Sequence, residues 1–396
     1  MNDAPAEIVL DLSRLLARLL RTTPTGVDRV ELAYAQTLLR VAPERLSFAA
    51  RFPRGLYGRL DPFAVRRFVD HTAELWQAPH RITRQQLYPV AARHLLALRP
   101  RRIPRRRGRR VFLQTSPHQM EREGRMARIL AAEDARFVTM VHDLIPITHP
   151  EYVRPESEAS HRRRIATIEL LADGVVTNSG ATRDALIAGM NRDRALPIAV
   201  AHLGTDLHPP VAPLVAERPY FVCVATIEAR KNHLLLLNIW RRMVEERGGE
   251  APLLHLVGKR GWENEQVVDM LERCRALKGH VVEHDDLDDA AMRAMVAGAR
   301  ALLLPSFDEG FGMPVAEALA GGTPVIASDI PALREVGREV PDYLDPLDGL
   351  GWRSAIEDYA RPASFRRAAQ LTRLEGWRPF TWDQHMATVL ALIDSL

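Results

Sequence analysis

At 396 residues, 46% hydrophobic and 26% charged, the chain has the length of two ordinary domains and a globular composition, which excludes disordered and fibrous classes. No apolar run reaches the roughly 18 residues of a membrane span, and acids and arginines break up Ile8–Leu20 before a secretory signal can form, so the cytosol is the expected location. The net charge of +4 hides a polarity: residues 1–200 carry 33 arginines against 21 acids (+12) and the remainder 21 bases against 29 acids (−8), so the first half is expected to meet something anionic.

Short apolar, β-branched runs alternate with helical patterns from end to end, the rhythm of parallel α/β sheets. Strands are predicted at Glu7–Leu12, Leu46–Arg51, Val111–Thr115, Phe137–His142, Val175–Asn178 and Ile198–Leu203, with helices among them at Val27–Arg40 and Arg162–Ala172. Pro209, Pro210, Pro213 and Pro219, without periodicity, mark a linker over 206–219. Further strands are predicted at Tyr220–Thr226, Leu253–Val257, Val281–Glu283, Ala301–Leu304, Thr323–Ala327 and near Tyr343, with helices at Asn232–Glu246 and Glu263–Ala276. Two sets of about six strands predict two doubly wound α/β sheets, one in a domain over 1–205 and one in a domain over 220–375. Residues 376–396 end in a helix expected to cross back to the first domain. Cys223 and Cys274 read as small buried hydrophobes rather than as a disulfide or metal ligands.

Residues 99–110 hold eight arginines broken by Pro100, Pro104 and Gly108, and are read as lying outside any core element. A solvated loop is one reading; a peripheral contact with anionic lipid headgroups at the inner membrane face is another. Nucleic acid is not expected, because no interleaved aromatics or binding module accompany the run.

The stretch Pro305–Glu317 (PSFDEGFGMPVAE) follows a buried-looking strand and opens a helix, with Pro314 suited to the first turn. Gly310 and Gly312 strip side chains from the turn, so backbone N–H groups can approach an anion at the helix N-terminus, a geometry that favours a diphosphate. Glu309 and Glu317 bracket the turn, and a carboxylate beside a sugar or ribose can accept two hydroxyl hydrogen bonds. In Thr226–His233 (TIEARKNH), Arg230 and Lys231 stand at a helix start, where dipole logic prefers acids, which makes sense if a diphosphate sits there. All four residues are expected to line a cleft rather than fill a core.

The spacing Glu309-x7-Glu317, continued by Gly321–Asp329 (GGTPVIASD), resembles the E-x7-E signature of the family 4 retaining glycosyltransferases. The resemblance is strong over about 220–340 and traceable over the first half. It implies the GT-B fold, two Rossmann-like domains facing across a cleft, with a nucleotide diphosphate sugar on the second and a saccharide or lipid-linked acceptor mainly on the first. By resemblance, Glu317 binds the ribose, Glu309 lies beside the transferred sugar, and the backbone of Gly310, Phe311, Gly312 and Met313 contacts sugar or phosphate. Arg230 and Lys231 are similar to the family's phosphate-binding pair, and Gly258 to the turn lining its nucleotide cleft. In the first half, Gly26 within Thr23–Arg29 resembles the family's glycine loop, although the usual adjacent glycine is replaced by Thr25. His142 resembles the histidine that touches the donor sugar, and Ser179 is suited to a helix N-cap.

The reaction so implied is hexosyl transfer with retention, mannosyl for preference, in bacterial polysaccharide or lipopolysaccharide assembly, with the leaving phosphate taking the acceptor proton. No cofactor beyond the donor substrate is expected. Asp285, Asp286, Asp288 and Asp289 close a strand and open a helix, so they read as capping residues, and no metal site is expected. The alternatives are an NAD-dependent oxidoreductase, for which Leu12–Gly26 lacks a G-x-G-x-x-G turn, and a non-catalytic nucleotide-sugar-binding protein.

Overall fold

The computed structural model describes residues 5–396 apart from 53–55, 78–83, 106–107, 191–194, 207–208 and 263. Arg106 and Arg107 of the arginine run, linker residues 207–208 and the predicted helix start Glu263 therefore lie outside the described residues. The chain forms two compact units. The first comprises Met1–Ile147, Ala159–Gly204 and Thr381–Leu396; the second comprises Thr148–Glu158 and Thr205–Phe380.

The first unit is built on seven strands: β1 (Glu7–Asp11), β2 (Leu46–Arg51), β3 (Tyr57–Arg59), β4 (Arg110–Gln114), β5 (Arg136–Val141), β6 (Gly174–Thr177) and β7 (Ile198–Val200). Their order is β3-β2-β1-β4-β5-β6-β7, parallel throughout except for β3, which runs antiparallel to β2. Register stacks apolar residues into layers: Leu10 pairs with both Phe48 and Leu113, and Leu113 with Val138. Val9, Phe112, Phe137 and Val175 lie in one core with Met126, Ile165 and Ile168 from the covering helices. Such two-sided burial is why these strands read as continuous apolar runs.

The terminal helix Trp382–Ser395 opens on a capping box in which Thr381 and Gln384 satisfy each other's backbone amides. It belongs to the first unit, where His385 bridges the Tyr34 hydroxyl at 2.6 Å and the His202 carbonyl at 3.0 Å.

The second unit has six strands: β8 (Tyr220–Val224), β9 (Leu253–Val257), β10 (Val281–His284), β11 (Leu302–Leu304), β12 (Val325–Ser328) and β13 (Asp342–Leu344). They form a wholly parallel sheet in the order β10-β9-β8-β11-β12-β13. Trp240 and Trp352 fill its core, each satisfying its indole N–H on a carbonyl, of Pro252 at 2.9 Å and Asp345 at 3.0 Å.

The structure corrects three readings. β3 is a short edge strand that no apolar run announces. Arg110, read with the arginine loop, is a buried residue of β4 whose guanidinium bonds Glu7 (2.7 Å) and Glu133 (3.3 Å). Cys274 is only half-buried, whereas Cys223 is fully buried on β8.

Candidate active site

In the second unit, the loop between β11 and the helix Met313–Ala320 and the loop after β8 meet at the carboxyl ends of the strands, the edge where doubly wound sheets hold ligands. The turn Ala229–Lys231 after β8 carries the two cations. Lys231 Nζ donates to Glu309 Oε1 at 2.5 Å and Arg230 Nη1 to Glu309 Oε2 at 3.0 Å. Arg230 also reaches Glu228 Oε1 and the Asp308 carbonyl, both at 2.8 Å. Ser306 Oγ donates to Glu309 Oε1 at 2.7 Å, and the Phe307 amide donates to the Arg230 carbonyl at 2.9 Å, so the two loops are stitched together.

Burial alone would push the Glu309 carboxyl up, but the Lys231 and Arg230 charges and their hydrogen bonds outweigh it and hold the group at about 2. Lys231, Glu228, Ser306 and Glu309 are all buried. Lys231 and Glu309 are thus more withdrawn than residues that merely line a cleft, whereas Arg230 is half-buried. The acids at 228 and 309 also supply the local counter-charge that the bare helix start lacked.

Gly312 enters the helix at φ +100, and a Cβ there would lie 2.3 Å from Leu333 Cδ2, so only glycine lets the loop turn at this point. Val315, Ala316, Ala318 and Leu319 bury the inner face of the helix while Glu317 stays exposed on its outer face. Phe311 is buried, and Gly310 and Met313 are half-buried beside it. Gly258, just after β9, packs so closely on β8 that a Cβ would stand 2.1 Å from the Ala225 carbonyl oxygen. Glu309, Gly310, Phe311, Gly312, Met313, Arg230 and Lys231 thus share one edge of one unit. Gly258 lies at the neighbouring strand end.

Sequence reasoning did not single out Glu228, Ser306 or Asp308, although all three lie inside the stretches it quoted. His149 and Tyr152, from the segment Thr148–Glu158 of the second unit, left no local signal. His149 Nδ1 lies 3.1 Å from Asp308 Oδ2, and the Tyr152 ring stacks on Phe307 with centroids 5.0 Å apart. Asp308 Oδ1 accepts the Glu309 amide at 2.7 Å, so these residues brace the loop that presents Glu309.

In the first unit, His142 Nε2 lies 2.7 Å from the Thr115 carbonyl; a carbonyl only accepts, so Nε2 carries the proton. Burial lowers the affinity of this imidazole for a second proton. Gly26 begins the helix Gly26–Val41 behind a capping box of Thr25 and Asp28, with Arg14 Nε donating to Asp28 at 2.5 Å. Ser179 caps the helix Gly180–Gly189 by accepting the Thr182 amide. Asp288 likewise caps Asp289–Gly298, and among the described residues no cluster of histidine, cysteine or acid has the arrangement of a metal site.

Two Rossmann-like units of this topology have the architecture of GT-B glycosyltransferases. Residues 218–351, within which the cations and both glutamates fall, match the family model described as Glycosyl transferases group 1. The O-antigen chain mannosyltransferase B of Escherichia coli is 29% identical over 260 residues, 63% of this chain and 67% of that protein. The serotype-specific mannosyltransferase WbdA of Escherichia coli is 26% identical over 264 residues, 62% of this chain, and the chain spans about a third (32%) of its length. Among solved structures, Anabaena HepE in complex with UDP and glucose superposes with a TM-score of 0.66 at 15% identity over 99% of this chain and all of that one. Family-model match, relatives and fold together support a glycosyltransferase.

Proposed function

We propose that the protein is a metal-independent, retaining glycosyltransferase that moves a hexosyl unit from a nucleotide diphosphate sugar to an acceptor hydroxyl. Mannose is the favoured sugar, and the setting is polysaccharide or lipopolysaccharide assembly in the cytosol against the inner membrane face. The observation that carries this reading is the convergence of Arg230 and Lys231 on one anionic position at the carboxyl edge of the second sheet. Glu309 holds that position in the structure, and a diphosphate is the substrate anion whose two negative groups suit a forked guanidinium beside a point charge.

In the reaction the bond from the anomeric carbon to the diphosphate oxygen breaks and its electron pair leaves with the nucleotide. The acceptor oxygen bonds the same carbon on the same face, and its proton passes to the departing phosphate. Arg230 and Lys231 stabilise the charge that develops there, a role that needs no divalent ion. Glu309 accepts sugar hydroxyls, Glu317 the ribose hydroxyls, and the Gly310–Met313 backbone the phosphate or sugar. His142 is included on its resemblance to the family histidine that touches the donor sugar; with Nε2 committed to the Thr115 carbonyl, its Nδ1 is the acceptor nitrogen. Mannosyltransferase relatives support the sugar preference. An NAD-dependent oxidoreductase is not favoured, since the first strand is not followed by a dinucleotide turn.

Thermal shift against a panel of GDP-, UDP-, ADP- and dTDP-sugars tests the donor, because binding to the native state raises its stability. Transfer assays with and without EDTA test the metal. Absence of stabilisation by every nucleotide sugar would remove the reading, and loss of transfer in EDTA restored by Mg²⁺ would remove its metal independence.

A further inference from the structure

One stretch from the first half of the chain belongs to the second unit. The backbone leaves the first unit after Ile147, contributes Thr148–Glu158 to the second, and rejoins the first at Ala159. Within this strap Pro150 and Pro155 restrict the backbone. Pro150–Tyr152 form a single 3₁₀ turn, with the Tyr152 amide donating to the His149 carbonyl at 3.1 Å. Residues three apart eclipse in such a turn, so the His149 and Tyr152 rings stack, with centroids 5.8 Å apart and planes 22° from parallel. Tyr152 in turn lies on Phe307 with planes only 5° from parallel. Three rings thus form a column that ends on the loop after β11.

The strap holds two loops of the candidate site. On the loop after β11 it meets Phe307 through Tyr152 and Asp308 through His149, the two residues that immediately precede Glu309. On the loop after β9, the Arg154 guanidinium stands 5.3 Å from the centroid of the Trp262 ring. β9 and β11 are the two neighbours of β8 in the sheet. The loop after β8, which carries Arg230 and Lys231, is tied to both: the Gly261 amide donates to the Ile227 carbonyl at 2.8 Å and the Phe307 amide to the Arg230 carbonyl at 2.9 Å. Strap and loops therefore close a ring of contacts around the cations and Glu309.

Core packing does not account for the strap's contacts. His149, Tyr152 and Phe307 are only half-buried and Arg154 is exposed, and contacts at such positions contribute little to stability. Flat rings face to face and an imidazole on a carboxylate instead fix angles as well as distances. We propose that His149, Tyr152 and Arg154 are positioning residues. The strap holds the loops after β9 and β11 against the loop after β8, and so keeps Arg230, Lys231 and Glu309 at the spacing the departing diphosphate requires. This inference rests on the glycosyl-transfer reading above. A loop displaced by about 1 Å still attracts a diphosphate through its charges but no longer meets the charge that develops as the bond breaks, so the effect falls on turnover rather than on affinity.

The test is release of nucleoside diphosphate by the full chain from GDP-mannose, UDP-glucose, ADP-glucose and dTDP-glucose, with methyl α-mannoside and water as the acceptors offered. Tyr152→Leu keeps the bulk and removes the ring faces, Tyr152→Phe keeps the column, and Arg154→Met keeps a stem over Trp262 without the charge. On the donor the unmodified chain uses, Tyr152→Leu is expected to lower kcat about ten-fold and Arg154→Met about three-fold, each with the donor KM within about two-fold. Tyr152→Phe should rescue kcat, and all three melting temperatures should stay within about 2 °C of the unmodified chain. Hydrogen exchange at the Phe307 and Glu309 amides reads the loop without catalysis, and is expected to quicken about ten-fold in Tyr152→Leu only. Unmoved exchange together with unmoved kcat in Tyr152→Leu, a loss shared by Tyr152→Phe, or a loss confined to KM would overturn the proposal. If Tyr152→Leu does not fold, Arg154→Met at its exposed position decides by kcat. If a donor binds but is not turned over, the exchange rates decide. If none of the four donors shifts the melting temperature of the unmodified chain, the glycosyl-transfer reading itself fails and this inference falls with it.

Discussion

Lys231 and Glu309 lie 78 residues apart in sequence, yet the lysine Nζ donates to the glutamate Oε1 at 2.5 Å, with both side chains largely withdrawn from water. The pair therefore belongs to the fold, and on the proposed function to the chemistry as well. Lys231→Ala and Arg230→Ala are each expected to lower turnover by roughly 10²-fold, the size seen when a preorganised charge on a leaving group is removed. Lys231→Ala also leaves a buried carboxylate short of a partner, which costs about 3 kcal/mol. Adding Glu309→Ala in the same chain should return part of that loss, and a double-mutant cycle from urea unfolding measures the coupling. Because the folded-state carboxyl is held at about 2, its contribution is present above the ordinary carboxylate range and fades as pH falls toward that value. In Lys231→Ala acid unfolding should begin at higher pH. Strict additivity and an unmoved acid limb would show that the pair is not coupled in solution.

The cations and Glu309 were legible one by one, because glycine spacing, a first-turn proline and adjacent bases are local patterns. Their mutual contact was not, since periodicity carries no information across 78 residues. Most strands were legible to within two residues, because burial on both faces leaves unbroken apolar runs, although the run expected to reach Leu203 ends as β7 at Val200. β3 escaped for the opposite reason: Tyr57-Gly-Arg59 is three residues long and is held by Arg59 on Glu133 and by backbone bonds to Arg101. Arg110 escaped because an arginine among arginines looks solvated until its acids, at positions 7 and 133, are brought to it.

Two glycines of the second unit should respond unequally to alanine. At Gly312 the φ of +100 costs a side chain about 1–3 kcal/mol, and the nearest obstacle is the end of the Leu333 side chain. At Gly258 the obstacle is the Ala225 carbonyl just past β8, 2.1 Å from the new Cβ, and a backbone oxygen whose residue is tied to the Val257 carbonyl by its own amide at 3.0 Å cannot swing aside as a side chain can. Gly258→Ala is therefore expected to destabilise more than Gly312→Ala, while Gly312→Ala raises the KM for the donor through the displaced loop. Denaturant unfolding of the two variants ranks them, and the reverse order would show that β8 and β9 yield more readily than the loop does.

Substitutions within 99–110 should split into two behaviours. Arg110 is buried between Glu7 and Glu133, and Arg110→Gln is expected to lose about 1.5–3 kcal/mol through its charged bond to Glu7 and its bond to the Glu133 carbonyl, while Arg59 keeps the Glu133 carboxylate paired. Arg102→Gln and Arg105→Gln, exposed on the same segment, should change stability by less than about 0.5 kcal/mol. If anionic lipid attracts this segment, the exposed pair should also weaken flotation with phosphatidylglycerol vesicles in a salt-dependent way. Melting curves and flotation together decide it: equal stabilities for all three variants would mean that the Arg110 network contributes nothing.

Glu31 supplies the sharpest dependence on pH. It lies on the helix Gly26–Val41, fully buried, with the Leu15 amide donating to Oε1 at 3.1 Å and Oε2 without a partner among the described residues. Burial first, and then the Asp11 charge, push its carboxyl up to about 8 from the ordinary 4.5. Below the ordinary value the group is protonated whether the chain is folded or not, and it adds no pH dependence. Between the two values the unfolded chain has lost the proton and the folded chain keeps it, so the folded state binds one proton more. Stability must then fall as pH rises across that interval, by up to about 1.4 kcal/mol per unit, and level off above 8. Glu31→Gln keeps the acceptor for Leu15 and has no proton to lose. Relative to the unmodified chain it is expected to gain about 2 kcal/mol or more on going from pH 5 to pH 8, with the other titrating groups cancelling in the comparison. Urea unfolding of both chains at those two pH values reads the difference directly, and parallel stability changes would mean that Glu31 is ionised in the folded protein.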